Sequence, residues 1–178
     1  MEFVKGPASS REELLTRLVA QYEVSLLRTC YMYLHDKGLA EDATQETFLK
    51  AYKALATFRG DSSEKTWLMR IAINTCRDMQ RTAWFRYVDR RVEVDLLPTP
   101  ARDFDFTDAD ALTQAILRLP TRHKEVILLH FYQDMTIREI AVVLDLSASA
   151  VQKRIKAACG KLKKMLGKED FYEPGENA

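Results

Sequence analysis

A chain of 178 residues holds one large domain or two small ones, and a 47% apolar content is ample for a buried core. The net charge of +1 rules out a uniformly basic or acidic molecule, so any charged partner must be met by local blocks of one sign. No run of 18 apolar residues exists to span a membrane, and the opening MEFVKGPASSREE lacks the apolar stretch of a secretory signal.

The periodicity predicts an all-α protein, with Pro and Gly few and strand-like alternation absent. Residues 11–34 carry Leu15, Leu18, Val19, Tyr22, Leu26, Cys30, Tyr33 and Leu34 on one broad stripe, the mark of an amphipathic helix. His35-Asp36-Lys37-Gly38 reads as its stop, with Gly38 as C-cap. A second helix is predicted over 40–56. At 100 degrees per residue, Ala40, Ala43, Thr47, Phe48, Ala51 and Leu55 fall on one side of it. Asp42, Gln45, Glu46 and Leu49 fall on the other. Pattern alone favours a solvated face stabilised by Glu46–Lys50 pairing. The alternative is a partner surface, because a leucine stands exposed among carboxylates.

Phe58 to Ser63 form a loop, and Asp61 with Glu64 reads as the cap of a third helix running to about residue 83. Leu68, Ile71, Ala72, Thr75 and Met79 are its core stripe, with Trp67 at the edge. Arg70, Asn74, Arg77 and Arg81 fall on a separate line without interleaved acids. Arginines clamp phosphates and an amide reads a base edge, so this row favours nucleic acid. Phe58 is placed to stack on an unpaired base.

Residues 61–91 carry seven basic and four acidic groups, residues 92–111 six acids and one Arg, and residues 121–168 ten basic and four acidic groups. Two prolines and clustered aspartates in VEVDLLPTPARDFDFTD make 92–108 an extended, mobile linker. The expected organisation is therefore a domain over 10–91, this linker, a four-helix domain over 109–168, and a disordered tail over 169–178. Within the second domain one helix ends at Leu119, and Pro120 is the first residue of the next.

TIREIAVVLDLSASAVQKRIKAACGKL (136–162) reads as two short helices joined by a tight turn. Thr136 and Glu139 form a capping box, and Ile137, Ile140, Ala141 and Leu144 make one apolar face. Asp145 and Leu146 make the turn, and Ser147 caps the second helix. Val151, Ile155, Ala158 and Leu162 face inward, leaving Ser149, Gln152, Lys153 and Lys156 outward. This is a helix-turn-helix, whose second helix enters the DNA major groove. Residues 146–168 add seven Lys or Arg and no acid, which suits a phosphate backbone. An ordinary hairpin with a solvated basic face is the plain alternative.

Cys30, Cys76 and Cys159 are scattered without C-x-x-C spacing and read as reduced cytoplasmic thiols. The histidines fit no metal motif, and no P-loop, G-x-G-x-x-G or nucleophile–histidine constellation occurs. No metal, cofactor, small-molecule substrate or catalytic residue is expected.

Four pieces in order, AEDATQETFLKAYKAL, FRGDSSEKTWLMRIAINTCRD, LRLPTRHKEVILLHFYQDMTIREIAVVLDLS and AVQKRI, together resemble a bacterial sigma factor of the extracytoplasmic-function group of the sigma-70 family. The resemblance covers about residues 11–166. It implies two helical domains joined by a flexible linker, which bind core RNA polymerase and direct it to promoter DNA. Asp42, Gln45, Glu46 and Leu49 would then dock on a polymerase coiled coil. Phe58, Arg59 and Asn74, with Arg70, Arg77 and Asp78 nearby, would melt the minus-ten element and capture a flipped base. Ser149, Gln152, Lys153, Arg154 and Lys156 would read the minus-thirty-five element, with Lys124 on the DNA backbone. An anti-sigma factor, often membrane-bound, would hold the protein inactive in the cytoplasm.

The chain departs from that pattern in its recognition helix. Ser149-Ala150 stands for Gly-Thr, Ala157 and Cys159 stand where arginines are usual, and Asp145 replaces the Gly of the turn. A conventional helix-turn-helix regulator, whose N-terminal half dimerises or senses a ligand, is the other function class; a helical enzyme is a third.

Overall fold

The computed structural model describes residues 7–89 and 111–167, and these residues are helical with no strand among them. Helix α1 spans Pro7–Leu34, α2 spans Lys37–Ala54, and a 3-10 turn follows over Leu55–Thr57. Helix α3 spans Glu64–Asp89. The second half holds α4 (Ala111–Leu117), α5 (Thr121–Ile127), a π turn over Leu128–Tyr132, α6 (Ile137–Leu144) and α7 (Ala148–Leu166). The expected linker, 92–108, and the expected tail, 169–178, lie outside the described residues.

The first lobe is a hairpin of α1 and α2 with α3 packed on both. Leu18, Leu26, Cys30 and Tyr33 of α1 are buried against Ala40, Ala43, Thr44, Thr47 and Ala51 of α2. Small side chains on α2 allow close approach. The hydroxyls of Thr44 and Thr47 donate back to the carbonyls of Ala40 (2.7 Å) and Ala43 (2.6 Å), so their burial leaves no orphaned oxygen. Leu68, Met69, Ala72, Ile73 and Cys76 of α3 complete the core. In the second lobe α7 packs on α4, α5 and α6, burying Ile116, Val126, Ile140, Val151, Ile155 and Leu162. Each such Leu or Ile contributes about 2 kcal/mol relative to exposure.

Three local expectations change. The stop after α1 is His35, at φ 59°, and Asp36 caps α2 by accepting from the Leu39 amide at 2.8 Å. Gly38 lies inside α2, because an aspartate cap outcompetes a glycine stop two residues later. Ser63, not Asp61, caps α3, accepting from the Thr66 amide at 3.1 Å. Pro120 is the N-cap of α5 rather than its first residue; its carbonyl accepts from His123 (2.8 Å) and Lys124 (3.0 Å).

The lobes are in contact. Helix α3 lies on α6, and α1 touches α5 and the π turn, so one apolar cluster runs through both lobes.

Candidate nucleic-acid and protein interfaces

The second helix of the helix-turn-helix is held in place by a chain of local bonds. The capping box is complete: Thr136 N–H donates to Glu139 Oε2 (2.9 Å), and Glu139 N–H donates to Thr136 Oγ1 (3.3 Å). Asp145 takes the left-handed turn at φ 56°, where the amide of Leu146 reaches the Ala141 carbonyl (3.0 Å). Ser147 Oγ then accepts from the Ala150 amide (3.2 Å) and starts α7. Val151, Ile155, Ala158 and Leu162 are buried, as their spacing predicts. Ser149, Gln152, Lys153 and Lys156 stand exposed on the opposite side, and Arg154 is half-buried at its edge. Around Gly160 a Cβ would meet open space, so this glycine answers no packing need.

On α2 the outward face is also as spaced. Asp42 and Gln45 are exposed, Glu46 is half-exposed, and Leu49 is 47% exposed among them. Glu46 and Lys50 pair at 3.8 Å, and Lys50 Nζ also donates to Thr75 Oγ1 at 3.1 Å. An exposed pair of this kind contributes about 0.5 kcal/mol, too little to hold the carboxylate from a partner cation.

The row on α3 is divided. Arg70 and Asn74 are exposed. Asp78 is exposed and paired with Arg81 at 3.1 Å. Arg59 is exposed just after Phe58, whose ring lies 4.7 Å from that of Trp67 at 32°. Phe58 is thus half-buried, with a ring partner before any base arrives.

Arg77 faces the other lobe. Its Nε donates to Glu125 Oε1 (2.7 Å) and its Nη2 to Glu125 Oε2 (2.9 Å). The Tyr33 hydroxyl donates to the same Glu125 Oε1 at 2.8 Å. The Glu125 side chain is only 3% exposed, so the fork and the phenol neutralise a carboxylate lodged between the lobes. The pairing raises the Arg77 pKa above its ordinary value, and burial together with Glu125 pushes the Tyr33 phenol up.

A second seam lies beside the first. Gln133 Nε2 donates to Thr29 Oγ1 (2.8 Å), Ser25 Oγ donates to Gln133 Oε1 (2.7 Å), and Lys65 Nζ donates to the Gln133 carbonyl. Thr66 Oγ1 reaches Glu139 Oε1 at 3.3 Å. Lys124, read from the resemblance as a backbone contact, is 8% exposed in this arrangement, and burial lowers its ammonium pKa. The structure thus presents the α2 and α7 faces to solvent, holds Arg77 in an interlobe pair, and leaves Lys124 enclosed.

The apolar spacing of α1 assigns Tyr33 to the core but not its bond to Glu125, and no motif singles out Glu125 or Gln133. One signal was available: Glu125 heads the apolar run Val126–Leu129, where a carboxylate survives only with a partner. Among the described residues no group of three metal-ligating side chains occurs, and no helix is long and apolar enough to cross a membrane.

Comparisons with known proteins bear on what these faces do. Residues 18–86 match the Sigma-70 region 2 family and residues 109–162 match Sigma-70, region 4. The chain is 31% identical over 151 residues to the RNA polymerase sigma-H factor of Pseudomonas aeruginosa, covering 78% of each chain. It is 32% identical over 157 residues to the RNA polymerase sigma factor YlaC of Bacillus subtilis, covering 85% of this chain and 91% of that one. CnrH, solved in complex with the cytosolic domain of CnrY, superposes with a TM-score of 0.66 at 27% identity, over 89% of this chain and 91% of that one.

Proposed function

The chain belongs to the sigma-70 family of RNA polymerase sigma factors, in its extracytoplasmic-function group, and from this we propose how its faces divide the work of initiation. The Asp42, Gln45, Glu46 and Leu49 face of α2 docks on core polymerase. Leu49 supplies apolar contact, while the carboxylates set orientation and association rate against a basic partner helix. Phe58, Arg59, Arg70 and Asn74, joined by Arg77 and Asp78, hold the melted minus-ten strand. There stacking and edge bonds must offset the few kcal/mol that unstacking costs. The outward row of α7 reads the minus-thirty-five element: Gln152 suits adenine, and Lys153 and Arg154 suit guanine or phosphate. The protein binds and positions, and bond making belongs to polymerase.

The observation that carries this reading is the seating of α7. Two caps and a left-handed turn put a row of polar and basic side chains outward and four apolar ones inward. The free arrangement also withholds part of the promoter surface, because Arg77 is spent on Glu125 and Lys124 is enclosed. Full engagement of a promoter requires the lobes to part. An anti-sigma factor, membrane-associated and acting in the cytoplasm, is the proposed regulator. The resemblance to the family supports it, and an accessible α2 face gives it a place to compete with polymerase.

Pull-down of core polymerase tests the docking face. The wild-type chain should retain the enzyme, and Glu46→Lys should weaken retention about tenfold or more, since reversing a charge against a basic partner replaces attraction with repulsion. Equal retention by both would refute the assignment of that face.

A further inference from the structure

Where the lobes meet, a cleft of about 530 Å³ opens to solvent. Arg77 and Arg81 line it from α3, Arg122 and Arg154 line it from the second lobe, and Tyr33 and Glu125 form part of its wall. We infer that this cleft is a binding site for a short oligophosphate, a ligand that no feature of promoter recognition requires.

The argument starts from charge. The wall carries four guanidinium groups and one carboxylate. Glu125 is already satisfied by Arg77 and Tyr33. Among the described residues Arg81 pairs with its exposed neighbour Asp78. Among the described residues Arg122 and Arg154 pair with no carboxylate within 4.0 Å. Beside them, burial and then the cations Arg122, Lys161 and Arg154 keep the His123 imidazole pKa below its ordinary value. A concave surface with two unpaired guanidiniums from the second lobe, Arg122 and Arg154, facing the exposed, Asp78-paired Arg81 of α3 is matched by an anion with several oxygens in a row. Planar N–H forks bind phosphate oxygens in pairs.

Size selects the ligand class. A volume of about 530 Å³ lies in the range of small-molecule sites. Gln80 and Thr121 add neutral hydrogen-bonding groups to the lining.

Geometry then gives the consequence. The arginines belong to both lobes, so a ligand that bridges them binds the closed arrangement better than an open one. By linkage it must favour closure to the same degree. It would occupy Arg154, read above as a promoter contact, and act beside Arg77. This consequence rests on the proposed function; the binding itself does not, and it is measured without polymerase or promoter.

Calorimetric titration of the full chain with inorganic tripolyphosphate, at matched ionic strength, is the test. The wild-type chain should bind with a dissociation constant on the order of 10 µM and should bind orthophosphate far more weakly. Arg122→Ser combined with Arg154→Ser should weaken tripolyphosphate binding about tenfold or more, with an unchanged circular-dichroism spectrum. Arg59→Ser, which lies outside the cleft, should leave it unchanged. Absence of binding at millimolar ligand, or equal binding by the double variant, overturns the site. A third arm replaces Asp103, Asp105, Asp108 and Asp110 by Asn. If only that variant binds, the chain's own acidic segment is the occupant and the inference is wrong.

Discussion

Glu125 shows how one side chain couples distant parts of the sequence. Its carboxylate accepts from Tyr33, 92 residues away, and from Arg77, 48 residues away. Replacing it with Ala leaves the Tyr33 hydroxyl without its acceptor, while Arg77, whose side chain is 37% exposed, recovers water. Glu125→Ala should therefore cost about 2 kcal/mol in urea unfolding, and Glu125→Gln, which keeps an acceptor, about half of that. No loss in either variant would mean the pair does not hold the lobes. His123 makes a separate prediction with a definite sign. Burial and the cations Arg122, Lys161 and Arg154 depress its pKa, so the unfolded chain binds the proton more readily than the folded one. Stability should be full above about pH 6.5 and fall as pH drops through that value. His35, depressed by burial and Lys124, adds to the same window. Thermal melts should show a shallower decline between pH 7 and 5 in His123→Gln than in wild type. The lowered carboxyls of Glu64 and Glu139 act only nearer pH 4.5 and below, where they too lose stability as they protonate.

At the scale of single elements the sequence is highly legible, because caps and apolar spacing are local. Thr136, Glu139 and Ser147 cap as their spacing predicts, and the buried rows of α2 and α7 fall where a 3.6-residue period puts them. On α3 the row is shifted: Met69, Ile73 and Cys76 are buried with Leu68, Ala72 and Thr75, and the expected Ile71 and Met79 are only half-buried, because both lobes cover this helix. The misses are also local, and they arise from competition between nearby caps: Asp36 over Gly38, and Ser63 over Asp61. Thr136→Ala should cost about 1 kcal/mol by denaturant titration. Asp145→Gly should stabilise by several tenths of a kcal/mol, since glycine holds φ near 56° without a Cβ penalty. On α7, replacing Lys156 should weaken all promoter binding by the holoenzyme alike and flatten its salt dependence. Replacing Gln152 should instead change the preferred base at one position. Competition binding across a set of minus-thirty-five variants separates the two.

The whole molecule is where sequence reading ran out. Composition shift and proline spacing divide the chain into two parts, yet nothing local announces that Gln133 seats between Ser25 and Thr29, or that α3 lies on α6. Interlobe contact is made by side chains with no shared periodicity, so pattern analysis has no handle on it. The consequence is functional: a chain with a near-neutral total charge keeps cationic surfaces on both lobes, and part of that surface is turned inward. Free DNA should be bound poorly, and specificity should arise when polymerase holds the lobes at promoter spacing. Sequencing of run-off transcripts from fragmented genomic DNA tests this most directly. Core polymerase with the wild-type chain should start at a discrete set of sites sharing two spaced elements, and core alone or with Glu46→Lys should not. If the wild-type chain adds no start sites to those of core polymerase alone, the account of this protein as a promoter-specificity subunit is contradicted.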